Sequence, residues 1–196
     1  MSPMRSQLIL VSSLAVLVVA AILVGCATTE VDISPSPQTP VCDNAASALV
    51  LWTPQWRPAQ KDVPKREVAA EAGLKEFLQT SGCFASSDLR RLPNLTPAEV
   101  GAEVASTHGR FNRMVTITLK ELGPVIRLLA SLTLVDGGTE AAFQIAEYML
   151  PSETPTRTFT VHWRHGGPGV VKGVISLPQD MHDALVVGLQ PNKLQP

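Results

Sequence analysis

Two imidazoles three residues apart, in His162-Trp163-Arg164-His165, come nearest in this chain to a metal-chelating pattern. On a helix they would share a face and hold zinc. Here Phe159, Val161 and Trp163 alternate with Thr158, Thr160 and His162. In a strand, residues three apart point to opposite faces, so the pair is not expected to chelate, and no metal or other cofactor is expected. Cys-x-x-Cys, His-Glu-x-x-His and a calcium-loop run of carboxylates do not occur, nor does the Gly-x-Ser-x-Gly of a nucleophile elbow. The run Gly166 to Gly169 is a poor phosphate cradle, because Pro168 removes an amide donor and no Gly-Lys-Ser/Thr follows. Asp180, His182 and Asp183 read as the solvated face of a terminal helix, and Arg90-Arg91 and Lys65-Arg66 as solvated basic pairs. No catalytic residue is assigned, and whether folding gathers His108 or His162 with a carboxylate is a tertiary question. The remaining candidate is the loop of Trp52 and Trp56, with Pro54 between them and Pro58 after, a candidate docking surface because Trp is favoured at binding hot spots. Trp52 also ends an apolar run and has a core role open to it.

Charge narrows the partners. The chain has 196 residues and a net charge of −1, without the basic excess of a nucleic-acid-binding surface, so no nucleic acid is expected. The length supports one folded domain. Arg5 precedes an apolar run from Leu8 to Val24, broken only by Ser12 and Ser13 and followed by Gly25-Cys26. Positive residue, apolar stretch and small residue stand in the order of an export signal.

Leu23-Val24-Gly25-Cys26 resembles the bacterial lipobox. The resemblance implies that residues 1–25 are a signal peptide, that Cys26 receives a diacylglyceryl thioether and becomes an acylated amino terminus, and that a lipid bilayer is thereby one partner. Several acyl chains anchor stably where one binds only marginally. Ala27 rather than Asp follows the Cys, which by the same resemblance implies the outer membrane, with the domain facing the periplasm. An uncleaved signal anchor is the alternative, and it predicts the same side of the membrane. Residues 26–41 then read as lipidated Cys and tether, since three Pro and little apolar material cannot repay the entropy of ordering. Fully extended, such a tether reaches about 50 Å and would hold the domain off the bilayer. With Cys26 occupied by lipid, Cys42 and Cys83 are left in an oxidising compartment, where two Cys usually pair.

Residues 42–196 must supply the fold. Ala48 to Trp52 reads as a first, central strand, and Ala70, Leu74, Phe77 and Leu78 as one face of a helix stopped by Gly82. Ser87 to Leu92 is a weak strand; Thr96-Pro97-Ala98-Glu99 is a capping box opening a helix that Gly109 closes. Val115, Ile117 and Leu119 alternate with polar residues as a half-buried strand. Asp136-Gly137-Gly138-Thr139 reads as a hairpin turn between Leu132–Val135 and Glu140–Met149. His165 to Gly169 is expected to turn Thr156–Arg164 back into a strand over 170–176, and Ser176-Leu177-Pro178-Gln179 to cap a last helix burying Met181, Leu185 and Leu189. The order predicts an α+β domain: one mostly antiparallel sheet of about five or six strands, with three helices on one face. It loosely resembles the amino-terminal domain of the TolB group in architecture. Trp56 to Lys61 and Val161 to Gly169 are similar to stretches of uncharacterised proteobacterial lipoproteins.

These readings point to a non-catalytic, membrane-anchored accessory module of the cell envelope that engages an envelope protein. The second reading is a periplasmic small-ligand or glycan-binding module using the Trp52 to Pro58 loop and the sheet.

Overall fold

Ala48 to Trp52 lies inside strand β2 (Asp43–Pro54), which pairs in parallel with β3 (Phe84–Arg91) on one side and β4 (Arg113–Leu128) on the other. A strand bounded on both sides and covered on both faces must be apolar throughout, which accounts for the unbroken run. The computed structural model describes residues 27–128 and 135–190; the signal segment 1–25 and Cys26 lie outside them. Beyond β4 the sheet continues antiparallel through β5 (Val135–Met149) and β6 (Arg157–Pro168) to β1 (Thr28–Ser34). The order is β1-β6-β5-β4-β2-β3, a single six-stranded mixed sheet, and with the three helices among the described residues it makes the expected α+β fold.

The helices divide between the faces, where one face was expected. Helix α1 (Val63–Thr80) connects β2 outward to β3, and α2 (Pro97–Ser106) returns from β3 past β2 to β4. Two right-handed crossovers running in opposite directions place their helices on opposite sides of a sheet. Accordingly α1 and α3 (Leu177–Leu189) cover the face bearing Val50, Trp52, Ile117 and Phe143, while α2 packs Val100 against Leu49, Leu51 and Met114. Gly73 lets α1 and α3 approach: a Cβ there would stand 2.5 Å from the Pro178 carbonyl oxygen. The Thr96–Glu99 capping box forms as read, and Gly82 and Gly109 end their helices with positive φ.

Four local expectations are corrected. Gly137 and Gly138 lie inside β5 rather than in a hairpin turn, and the β4–β5 connection falls within 129–134, outside the described residues. Their glycines serve close backbone approach: a Cβ on Gly138 would lie 2.5 Å from the His165 carbonyl, and one on Gly166 would lie 2.1 Å from that of Gly137. No strand forms over 170–176; after β6 the chain passes through a 3₁₀ turn, Val174–Ser176, into α3. Ser176 does not cap α3, because its hydroxyl donates to Asp180 Oδ2 at 2.8 Å.

The fourth correction concerns the tether. Thr28–Ser34 is an edge strand, with Thr29, Val31 and Ile33 opposite His165, Trp163 and Val161. The following segment is clamped too: Arg113 Nη1 donates to the Val41 carbonyl at 2.7 Å, Arg157 donates to those of Thr39 and Pro40, and Val41 N donates to Leu189 at 2.9 Å. Cys42 and Cys83 form a disulfide with Cα atoms 4.5 Å apart, tying this entry to the end of α1.

Candidate functional site

Among the described residues, no helix covers the second sheet face beyond the footprint of α2, and the alternation of β4, β5, β6 and β1 decides what it presents. Thr116 and Thr118 on β4, Glu140, Ala142 and Gln144 on β5, and Thr160, His162 and Arg164 on β6 share that face. Where it meets the loop after β2, a groove of about 480 Å³ is lined by Trp56, Arg57, Lys120, Glu121, Glu140 and His162. A smaller cleft of about 280 Å³ extends it along Glu30, Asp32, His162 and Arg164.

Glu121 organises the groove wall. A register shift between Leu119 and Glu121 inserts one extra residue in β4, leaving Glu121 opposite Ala142 and buried. Its Oε1 accepts from Gln60 Nε2 at 2.8 Å and from Arg66 Nη1 at 3.1 Å, and its Oε2 accepts from Arg57. Arg66 is itself buried and donates through Nε to the Lys61 carbonyl at 2.8 Å. Its guanidinium rests on Gly123, where a Cβ would meet Nη1 at 1.5 Å, so only glycine fits beneath it. Two arginines and a glutamine therefore hold the loop bearing Trp56 and Arg57 against the sheet. Gly123 carries no local signal of this role, and Lys65-Arg66, expected to be a solvated pair, divides into an exposed Lys and a buried Arg.

The two tryptophans separate. Trp52 is 1% exposed, packed in the main core beneath the Arg91 guanidinium, 5.3 Å from its ring centroid, and it forms no part of a docking surface. An inward-facing position on an interior strand left it nowhere else to go. Trp56 is half-buried, and its indole N–H donates to Glu67 Oε1 at 3.2 Å, which leaves part of the ring in the groove.

The histidines do not converge. His162 is exposed on the open face, whereas His165 turns to the other side, stacks on Trp163 with ring centroids 5.8 Å apart, and has Thr29 Oγ1 2.9 Å from its Nδ1. His108 sits beyond the end of α2 with φ of 50°, away from the groove. Arg164 pairs with Asp136 at 2.8 Å, and this hydrogen bond holds the guanidinium more firmly protonated than usual, with burial opposing it. Asp180, expected on a solvated face, is buried; it accepts from Thr139 Oγ1 at 2.6 Å and pairs with Lys172.

Thr80, His182 and Asp183 line up as hydroxyl, imidazole and carboxylate, with Thr80 Oγ1 3.3 Å from Nε2 and Asp183 Oδ1 3.1 Å from Nδ1. Thr80 donates its hydroxyl proton to the Glu76 carbonyl at 2.7 Å, the usual back-bond of a helical threonine. That back-bond competes with the imidazole for the hydroxyl proton, and the trio stands at the end of α1. The open face thus offers hydrogen-bonding groups, mixed charge and one half-buried indole.

No family model and no curated protein matches this chain. Among solved structures its fold is similar to that of the PelC dodecamer from Paraburkholderia phytofirmans, at 10% identity over 84% of this chain and 99% of that one, with a TM-score of 0.46. It is also similar to two bacterial lipoproteins. Lipoprotein GNA1162 from Neisseria meningitidis matches at 13% identity over 72% of this chain and 95% of that one, with a TM-score of 0.36. A minor lipoprotein from Acinetobacter baumannii matches at 18% identity over 76% and 96%, with a TM-score of 0.35.

Proposed function

We propose that this chain is an exported lipoprotein, anchored through Cys26 in the outer membrane and facing the periplasm, which acts without catalysis as an interaction module of the cell envelope. The observation that carries the reading is the succession, within one chain, of the Leu23-Val24-Gly25-Cys26 sequence and a Cys42–Cys83 disulfide, an anchor motif followed by the chemistry of an oxidising compartment. The binding element is the open sheet face with its groove between Trp56 and His162.

Labelled palmitate is expected in the wild-type protein and absent from Cys26→Ala, which also keeps its precursor mass. The reason is chemical: the thiol accepts the first acyl group, and in the lipoprotein pathway cleavage comes after lipidation. An unlabelled wild-type protein of precursor mass would establish the signal-anchor alternative.

The groove is tested by crosslinking in intact cells. Trp56→Ala and His162→Ala are expected to reduce the recovery of an envelope protein several-fold while leaving the amount of folded lipoprotein unchanged. If neither variant changes recovery, the sheet face is not the interaction surface. Stabilisation of the wild type by small saccharides, lost in Trp56→Ala, would favour the ligand-binding reading instead.

A further inference from the structure

The end of the domain at which the chain enters carries its own apolar surface. Thr28 pairs with Gly166, Gly166 lies against Gly137, and a Cβ on Gly137 would stand 2.2 Å from the Val170 carbonyl, so the first residues of β1 and the segment 170–175 form one rim. Val174 and Ile175 then face Pro64, Val68 and Ala72 at the start of α1 across a groove of about 470 Å³ whose lining is almost wholly apolar. Ile126, opposite Gly137 in the sheet, lies at the same end. Ile175 is 95% exposed, Val171 76%, Val68 70% and Ile126 61%. Large apolar side chains exposed together mark a surface that meets something apolar. Lys65 stands exposed at the groove's edge, 3.6 Å from Asp62, and Lys61 stands exposed just before α1.

The position of the anchor says what covers this surface. Only Ala27 separates Cys26 from the first residue of β1, and two residues span about 7 Å at most. We infer that Val68, Val171 and Ile175 dock onto the lipid bilayer beside the anchor, with Lys61 and Lys65 at the level of the phosphates. The inference rests on the anchored reading above. Apolar side chains at the acyl boundary with lysines at the headgroups is the arrangement of interfacial binding. An anchor held so close raises the local concentration of bilayer at the patch, so even weak intrinsic affinity keeps it docked. The domain therefore lies with this end against the membrane and its opposite end, at Met149 and Glu153, turned away.

The test uses the full-length lipidated protein in vesicles of phosphatidylethanolamine and phosphatidylglycerol. An environment-sensitive fluorophore is attached at Ile175→Cys or, as the distal control, at Glu153→Cys. A quencher carried on the lipid tails is expected to reduce emission at 175 at least two-fold more than at 153, and aqueous iodide to do the reverse. With the probe at Val68→Cys, the double variant Val171→Glu/Ile175→Glu, altering two exposed residues, should lose the lipid quenching while keeping the native unfolding midpoint. Equal lipid quenching at 175 and 153 overturns the proposal. Shielding of 175 from iodide without lipid quenching also overturns it, in favour of a protein cover. Failure of the anchored reading is separate, because it shows as absent palmitate before any vesicle is made.

Discussion

Reducing the Cys42–Cys83 bridge is expected to lower the stability of the domain by about 4 kcal/mol. The bridge closes a loop of 41 residues, and in the chain-entropy account a crosslink of that span removes roughly this much freedom from the unfolded state. The native geometry is over-determined around it: Arg113, Arg157 and the Leu189 carbonyl hold residues 39–42 whether or not the sulfurs are joined. The loss should therefore arise mainly from a freer unfolded chain rather than from a rearranged native one. Guanidinium unfolding with and without reductant measures it, and Cys83→Ala should reproduce most of the effect. A change below about 1 kcal/mol would mean that the unfolded chain is constrained by other contacts.

Glu121→Ala is expected to cost about 3 kcal/mol, the lower end of the range for removing one partner of a buried ion pair. The deletion leaves the buried Arg66 guanidinium without its carboxylate, but Arg66 keeps the Lys61 and Leu122 carbonyls, which limits the loss. Arg57, largely exposed at 73%, contributes little to this figure, since solvent screens its pairing. Because the two groups act together, the double variant Arg66→Ala/Glu121→Ala should be less destabilised than the sum of the single changes. Urea midpoints of the four proteins decide the matter, and strict additivity would mean that Glu121 and Arg66 are not coupled. Loosening of the Trp56 loop should accompany the loss and register as a red shift of indole fluorescence.

Elements whose signal is local were legible in the sequence. The helix at Ala70–Leu78, the capping box at Thr96, the alternation at Val115–Leu119 and the terminal helix face of Met181, Leu185 and Leu189 each depend on neighbours within a turn or a pleat, and each is where its residues put it. The pairing of Cys42 with Cys83 was readable for another reason: once the lipobox resemblance assigns Cys26 to lipid, the cysteine count leaves each remaining thiol a single candidate.

What the sequence could not carry were the choices made by partners distant along the chain. Thr28 to Ile33 has the β-branched alternation of a strand, but it becomes one only because β6 offers a free edge; set among Pro35, Pro37 and Pro40, the same residues read as tether. Gly137, Gly138 and Gly166 look like turn residues until three backbones are brought within contact and glycine proves to be what the packing needs. Arg66 and Asp180 look like surface charges because nothing nearby in the chain announces Glu121 or Thr139 and Lys172, which repay their burial. Sequence alone therefore determined the local elements and which two cysteines meet in the disulfide. Tertiary structure decided the edge strand, the two-faced placement of the helices and the groove, because burial and pairing are properties of residues that meet only after folding.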